Sequence, residues 1–144
     1  MIRTVAVGTD GSDTAAKAVA AAFELAKGFG ARVVVLSAFH GTAGPAAPRL
    51  SGATSEHPEW SSNAAEQVER ILAVAEETAA EHGLEASSAM EEGEAGDVLV
   101  RLAERHGADL LVVGSKGMER RVLGSVPNTV THKAACSVLV VKTT

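Results

Sequence analysis

The chain has 144 residues, 46% of them hydrophobic, and a formal net charge of −5. That length fits one α/β domain over 1–144 with its own apolar core, while the acidic balance, three Phe, one Trp and no Tyr exclude a basic, aromatic-lined nucleic-acid platform. No apolar run is long enough to span a membrane, the first 20 residues do not read as a signal peptide, and the single cysteine, Cys136, excludes an internal disulfide framework, so a reducing cytoplasm is the expected compartment.

Thr4–Gly8 (TVAVG) is short, rich in β-branched residues and ends in Gly, the pattern of a buried strand. Thr9-Asp10-Gly11-Ser12 reads as a tight turn, with Ser12 the N-cap of a helix over Asp13–Lys27. Val19, Ala22, Phe23 and Ala26 recur on one helical face, and Gly28 and Gly30 end the helix. Arg32–Ala38 (RVVVLSA) does not alternate, which predicts a second strand covered on both faces. His40–Ser61 holds three of the four prolines and predicts a long mobile loop. Trp60, at its end, is read first as an anchor of that loop and second as a ligand contact.

Asn63-x-x-Glu66 has the form of a variant capping box opening a second helix. Val68, Ile71, Leu72, Ala75 and Ala79 form its apolar stripe, and His82-Gly83 closes it. Ala86–Met90 is the weakest predicted strand. A third helix follows over Asp97–His106, then a strongly apolar strand over Ala108–Gly114 (ADLLVVG) and a polar loop over Ser115–Leu123. Gly124-Ser125 opens a fourth helix that runs to about Ala134, and Ser137–Val141 (SVLVV) is the fifth strand. Strict alternation of strand and helix predicts a parallel sheet, and right-handed crossovers make it doubly wound. Ligands of such sheets lie beyond the C-terminal strand ends, where the strand order reverses.

Three strands deliver candidate ligand groups to that edge. The first brings Gly8, Thr9, Asp10 and Gly11, the second Ser37, Ala38 and Phe39, and the fourth Val113, Gly114, Ser115, Lys116 and Gly117. Gly114 and Gly117 let backbone approach a ligand closely. Gly124, Ser125 and Val126 open a helix whose free N–H groups and positive dipole end suit a phosphate. Lys116, Arg120 and Arg121 add positive charge. Residues 114–144 hold five basic groups against Glu119 alone, a net +4, whereas 1–113 hold 8 basic and 17 acidic groups, a net −9. Chance variation and an anion-facing C-terminal quarter both explain that asymmetry. Two readings also stand for Asp10: contact with a nucleoside, or capping of the first helix through a nearby backbone N–H.

Other chemistry finds little support. There is no G-x-x-x-x-G-K-[ST] phosphate loop, and Gly28-Phe29-Gly30 follows a helix, the wrong context for a dinucleotide fingerprint. A receiver-type acceptor Asp is absent from Glu91-Glu92-Gly93-Glu94. The five histidines show no metal-ligand spacing, and Cys136 reads as a small apolar filler.

Together, VAVGTDGS at the first strand and turn, LLVVGSKG, LGSV and SVLVV make the chain resemble the universal stress proteins, a nucleotide-binding α/β family. The resemblance implies a Rossmann-like five-stranded sheet in the order 3-2-1-4-5. It implies that Asp10 meets the ribose, that backbone near Ala38 reads the adenine edge, and that Gly114, Gly117, Gly124 and Ser125 meet ribose and phosphates. ATP-binding members carry G-x2-G-x9-G-[ST]; here six residues separate Gly117 from Gly124. The shorter loop leaves ATP, with or without Mg²⁺, and AMP or cyclic AMP as candidate ligands. A homodimer joined through Ser137–Val141 is also implied, acting in a stress response by changing a surface seen by a protein partner. Two rival readings are a dimeric interaction module without nucleotide and a slow ATP hydrolase.

Overall fold

The structure is a computed structural model that describes residues 1–40, 59–115 and 124–143. Its elements follow in the order β1 (Thr4–Gly8), α1 (Asp13–Phe29), β2 (Arg32–Phe39), α2 (Glu59–Glu81), β3 (Ala86–Glu92), α3 (Ala95–Arg105), β4 (Leu110–Gly114), α4 (Ser125–Lys133) and β5 (Ser137–Val141). The five strands form one parallel sheet in the order β3-β2-β1-β4-β5. Strand order therefore reverses between β1 and β4, as the alternation of elements predicts.

Alternate residues of the central strands serve two cores. Val5 and Val7, Val33 and Val35, and Leu110 and Val112 face α1 and α2, where they meet Ala22, Phe23, Val68 and Leu72. Ala6, Val34, Leu36, Leu111 and Val113 face the other side and meet Val98, Leu99 and Leu102 of α3 and Val130 of α4. That double cover explains the unbroken apolar runs in β1, β2 and β4. Gly96 lets α3 approach α4 closely: a Cβ there would lie 2.7 Å from the Thr129 Cβ.

Several boundaries move. Gly28 lies inside α1, and Gly30 alone ends it, at φ 67° with its N–H on the Ala26 and Lys27 carbonyls. α2 begins at Glu59, so Asn63 is an interior residue and the expected capping box does not open the helix. Of the loop expected over 40–61, residues 41–58 lie outside the described residues and 59–61 belong to α2; the Trp60 side chain also lies outside them. α3 starts two residues before Asp97, because the Glu94 carbonyl accepts the Val98 N–H at 2.9 Å and Glu94 takes the N-cap position. It ends at Arg105, with His106 as its C-cap. β2 and β3 each run beyond their predicted ends, to Phe39 and Glu92, because they pair in register from Val33↔Ala86 to Phe39↔Glu92. β4 starts at Leu110 rather than Ala108. Among the described residues, no helix is long and apolar enough to cross a membrane.

Candidate functional site

The turn after β1 sets the position of Asp10. Gly11 takes φ 81°, a conformation that favours glycine, and its N–H donates to Thr9 Oγ1 at 3.0 Å. The Ser12 N–H donates to Asp10 Oδ1 at 2.9 Å, and Ser12 Oγ accepts the Ala15 N–H at 3.1 Å. Ser12 is thus the N-cap of α1, and Asp10 caps the turn that leads into it. Two bonds fasten this turn to β2. The Thr9 N–H reaches the Leu36 carbonyl at 2.9 Å, and buried Ser37 donates through Oγ to the Thr9 carbonyl at 2.7 Å.

On the other side of the reversal point, α4 starts with Gly124 as N-cap and no side-chain cap. The first N–H groups of a helix have no intrahelical partner. Here they belong to Ser125 and Val126, while buried Pro127 carries none. With the helix dipole, they suit a phosphate or another anion.

Between these features lies a cleft of about 350 Å³ across the C-terminal ends of β1, β2 and β4. Its floor and walls include Gly8, Ser37, Leu99 and Thr143. Of the residues singled out in the sequence, it brings together Thr9, Asp10, Ala38, Val113, Gly114, Ser125 and Val126. Gly124 stands next to it as the cap of α4. Lys116, Gly117 and Arg120 lie outside the described residues. The volume falls in the roughly 300–1,000 Å³ range of small-molecule sites.

Sequence reasoning missed Ala95, Leu99 and Thr143 as lining residues. Thr143 had no local signal, because it reaches the cleft only through pairing of β5 with β4.

Both proposed roles of Asp10 fit one geometry. Its carboxylate accepts the Ser12 N–H and also borders the cleft. A carboxylate has two oxygens and about four acceptor positions, so it can serve more than one donor at a time. Glu91, Asp109 and Cys136, all outside the cleft, have shifted pKa values. The Arg101 guanidinium holds Glu91 low, the N–H groups of Arg3 and Thr4 hold Asp109 low, and burial pushes the Cys136 thiol up. Among the described residues, no group of three His, Cys, Asp or Glu side chains is placed to hold a metal ion.

A second hollow, of about 460 Å³, lies between α1 and α2 and shares Thr9 and Ser12 with the first. Its walls are mainly apolar, with Val19, Phe23, Ile71, Val74 and Ala75. It opens on a helix pair rather than on the strand ends, so the dipole and N–H arguments do not apply to it.

Comparison with known proteins fits this architecture. The pattern of the universal stress protein family matches residues 1–142. The chain is 36% identical to universal stress protein Rv1636 of Mycobacterium tuberculosis over 152 aligned positions, covering 99% of this chain and 97% of that one. It is 34% identical to universal stress protein YxiE of Bacillus subtilis, covering 99% of this chain and 100% of that one. Among solved structures, a universal stress protein in complex with cAMP superposes with TM-score 0.74 at 33% identity, covering 99% of this chain and 98% of the other. With one five-stranded parallel sheet in the order 3-2-1-4-5 and these relatives over nearly its whole length, the chain belongs to the universal stress protein family.

Proposed function

We propose that this chain binds an adenine nucleotide in the cleft at the C-terminal strand ends and acts as a homodimeric regulatory protein of the cytoplasm. The observation that carries the reading is the meeting of Asp10, Gly114 and the uncapped start of α4 around one cleft at the point of strand reversal. Each part of a nucleotide finds a chemically suited group there. Asp10 accepts from ribose hydroxyls. Backbone at Ala38, on the end of β2, reads the adenine edge. Gly114 admits the sugar without a side chain in the way. The N–H groups of Ser125 and Val126 take the phosphate, with Gly124 beside them. Lys116, Gly117 and Arg120 belong to the same phosphate-binding stretch by sequence.

The similarity to a protein solved with cAMP supports an adenine ligand. The six-residue spacing between Gly117 and Gly124 favours a single phosphate, as in AMP or cyclic AMP, over a triphosphate with Mg²⁺. β5 lies at a sheet edge with Leu139 36% exposed, which suits pairing with a second copy.

Isothermal titration with AMP, cyclic AMP and ATP, each with Mg²⁺, tests the reading. Binding of AMP or cyclic AMP more tightly than ATP is expected. Tighter binding of ATP would contradict the single-phosphate preference. Heat from none of the three would move the function to an interaction module without nucleotide. Sedimentation of a Leu139→Lys variant tests the assembly: a monomer is expected, and an unchanged dimer would place the interface elsewhere.

A further inference from the structure

Two buried hydroxyls tie the end of β4 to the residues that follow β5. Ser115 and Thr143 are each 2% exposed. Ser115 Oγ accepts the Thr143 N–H at 2.8 Å and lies 3.3 Å from Thr143 Oγ1. The Ser115 N–H donates to the Val141 carbonyl at 2.8 Å. Lys17 on α1 donates through Nζ to the Thr143 carbonyl at 3.3 Å.

The ladder between β4 and β5 runs from Leu110↔Ser137 to Gly114↔Val141, so the hydroxyl bonds lie just past its end. They fix a segment that the sheet has already released. That segment borders the cleft: Thr143 is one of its lining residues. A Cβ on Gly114 would come within 3.2 Å of Thr143 Cγ2, so Thr143 fills the space beside Gly114. Burying two hydroxyls is favourable only while both are bonded, so the pair holds one arrangement.

We propose that Ser115 and Thr143, pinned by Lys17, form a latch that fixes the wall of the nucleotide cleft beside Gly114. Ser115 is a positioning residue that acts through Thr143, and Thr143 is the wall itself. This rests on the nucleotide reading above. The latch explains why a serine follows Gly114: its hydroxyl accepts from a backbone 28 residues away rather than from the ligand. It also makes Thr143, past the end of β5, part of the site.

The test titrates AMP into the unaltered protein and into Ser115→Ala, Thr143→Ser and Lys17→Met. Amide exchange at Thr143 is followed in the same ligand-free proteins. Ser115→Ala is expected to speed exchange at Thr143 and to weaken AMP about tenfold, the effect of one lost buried hydrogen bond. Thr143→Ser keeps the hydroxyl but removes the methyl beside Gly114, and should weaken AMP less than Ser115→Ala does while leaving exchange at position 143 slow. Lys17→Met removes the outer pin from an exposed position, where folding is not at risk, and should weaken AMP about threefold. Faster exchange at Thr143 with unchanged AMP affinity in Ser115→Ala would make the pair structural only and overturn the latch. Should Ser115→Ala fail to fold, unchanged affinity in Lys17→Met overturns it equally. If the unaltered protein takes none of AMP, cyclic AMP and ATP, the nucleotide reading itself falls, and the latch falls with it.

Discussion

The two ends of the sheet dispose of their polar groups in opposite ways. At the N-terminal strand ends, Arg32 donates through Nε to Thr4 Oγ1 at 2.9 Å and through Nη2 to the His106 carbonyl at 3.1 Å. There Asp109 accepts the Arg3 and Thr4 N–H groups at 2.9 and 3.1 Å and donates its own N–H to the Thr4 carbonyl at 2.9 Å. Side chains from one element cap the backbone of another, and the fold consumes its own hydrogen-bonding capacity. At the C-terminal ends the same sheet finishes in Gly8 and Gly114, faces a helix start without a side-chain cap, and leaves a cleft. Glycines at the strand ends, and N–H groups where a cap would bind them, suit this end to the proposed ligand. The lesson is that stability and recognition are divided between the two ends, and substitutions at each should separate them.

The largest separation is expected at Gly114. Its replacement by Val puts a branched side chain against Thr143 and into the cleft. AMP affinity should fall by about a hundredfold or more, close to 3 kcal/mol of binding, on calorimetric titration. Retained affinity would break the comparison at once. At the opposite end, Arg32→Met removes two side-chain hydrogen bonds and should cost about 1–2 kcal/mol in urea unfolding. Its AMP affinity should stay as in the unaltered protein; a joint loss would show that the ends are not independent.

Asp10→Asn sharpens the comparison within a single residue. An amide oxygen can still accept the Ser12 N–H, so the melting temperature should hold while AMP weakens about fivefold through the ribose contact. A lowered melting temperature with unchanged affinity would assign Asp10 to capping alone. The smallest effect is the pH dependence at Asp109. Its pKa is held below the ordinary carboxylate value by the N–H groups of Arg3 and Thr4. It therefore stabilises the fold above about pH 5, and that contribution fades as pH falls and the carboxyl takes up its proton. The melting temperatures of Asp109→Ala and the unaltered protein should differ at pH 7 and converge toward pH 3. A constant gap would mean that the carboxylate charge plays no part.

Much of the architecture was legible because β1, β2 and β4 are apolar on both faces, and only a doubly covered parallel sheet requires that. β3 was harder to see. Ser87, Ser88 and Glu91 give it a mixed pattern, as an edge strand with part of its surface exposed has less need of apolar residues. Asn63-x-x-Glu66 misled because a capping signature is equally compatible with a helix interior. On the cleft, Thr9, Asp10, Ala38, Gly114 and Ser125 were legible as strand-end and helix-start residues. Leu99 and Thr143 were not. Leu99 sits on α3 with the apolar stripe, and only packing places one of those residues below Gly8, where a Cβ would meet its Cδ1 at 2.6 Å. Thr143 depends on a contact across 28 residues.

The central claim is that one end of the sheet holds the nucleotide and the other holds the fold together. Backbone amide shifts recorded during an AMP titration test it most directly. The account predicts saturable changes at Gly8, Thr9, Asp10, Ala38, Gly114, Ser125 and Val126, with Arg3, Thr4, Arg32 and Asp109 unmoved. Changes centred on Arg32 and Asp109, or on Val19 and Val74 in the hollow between α1 and α2, would contradict it.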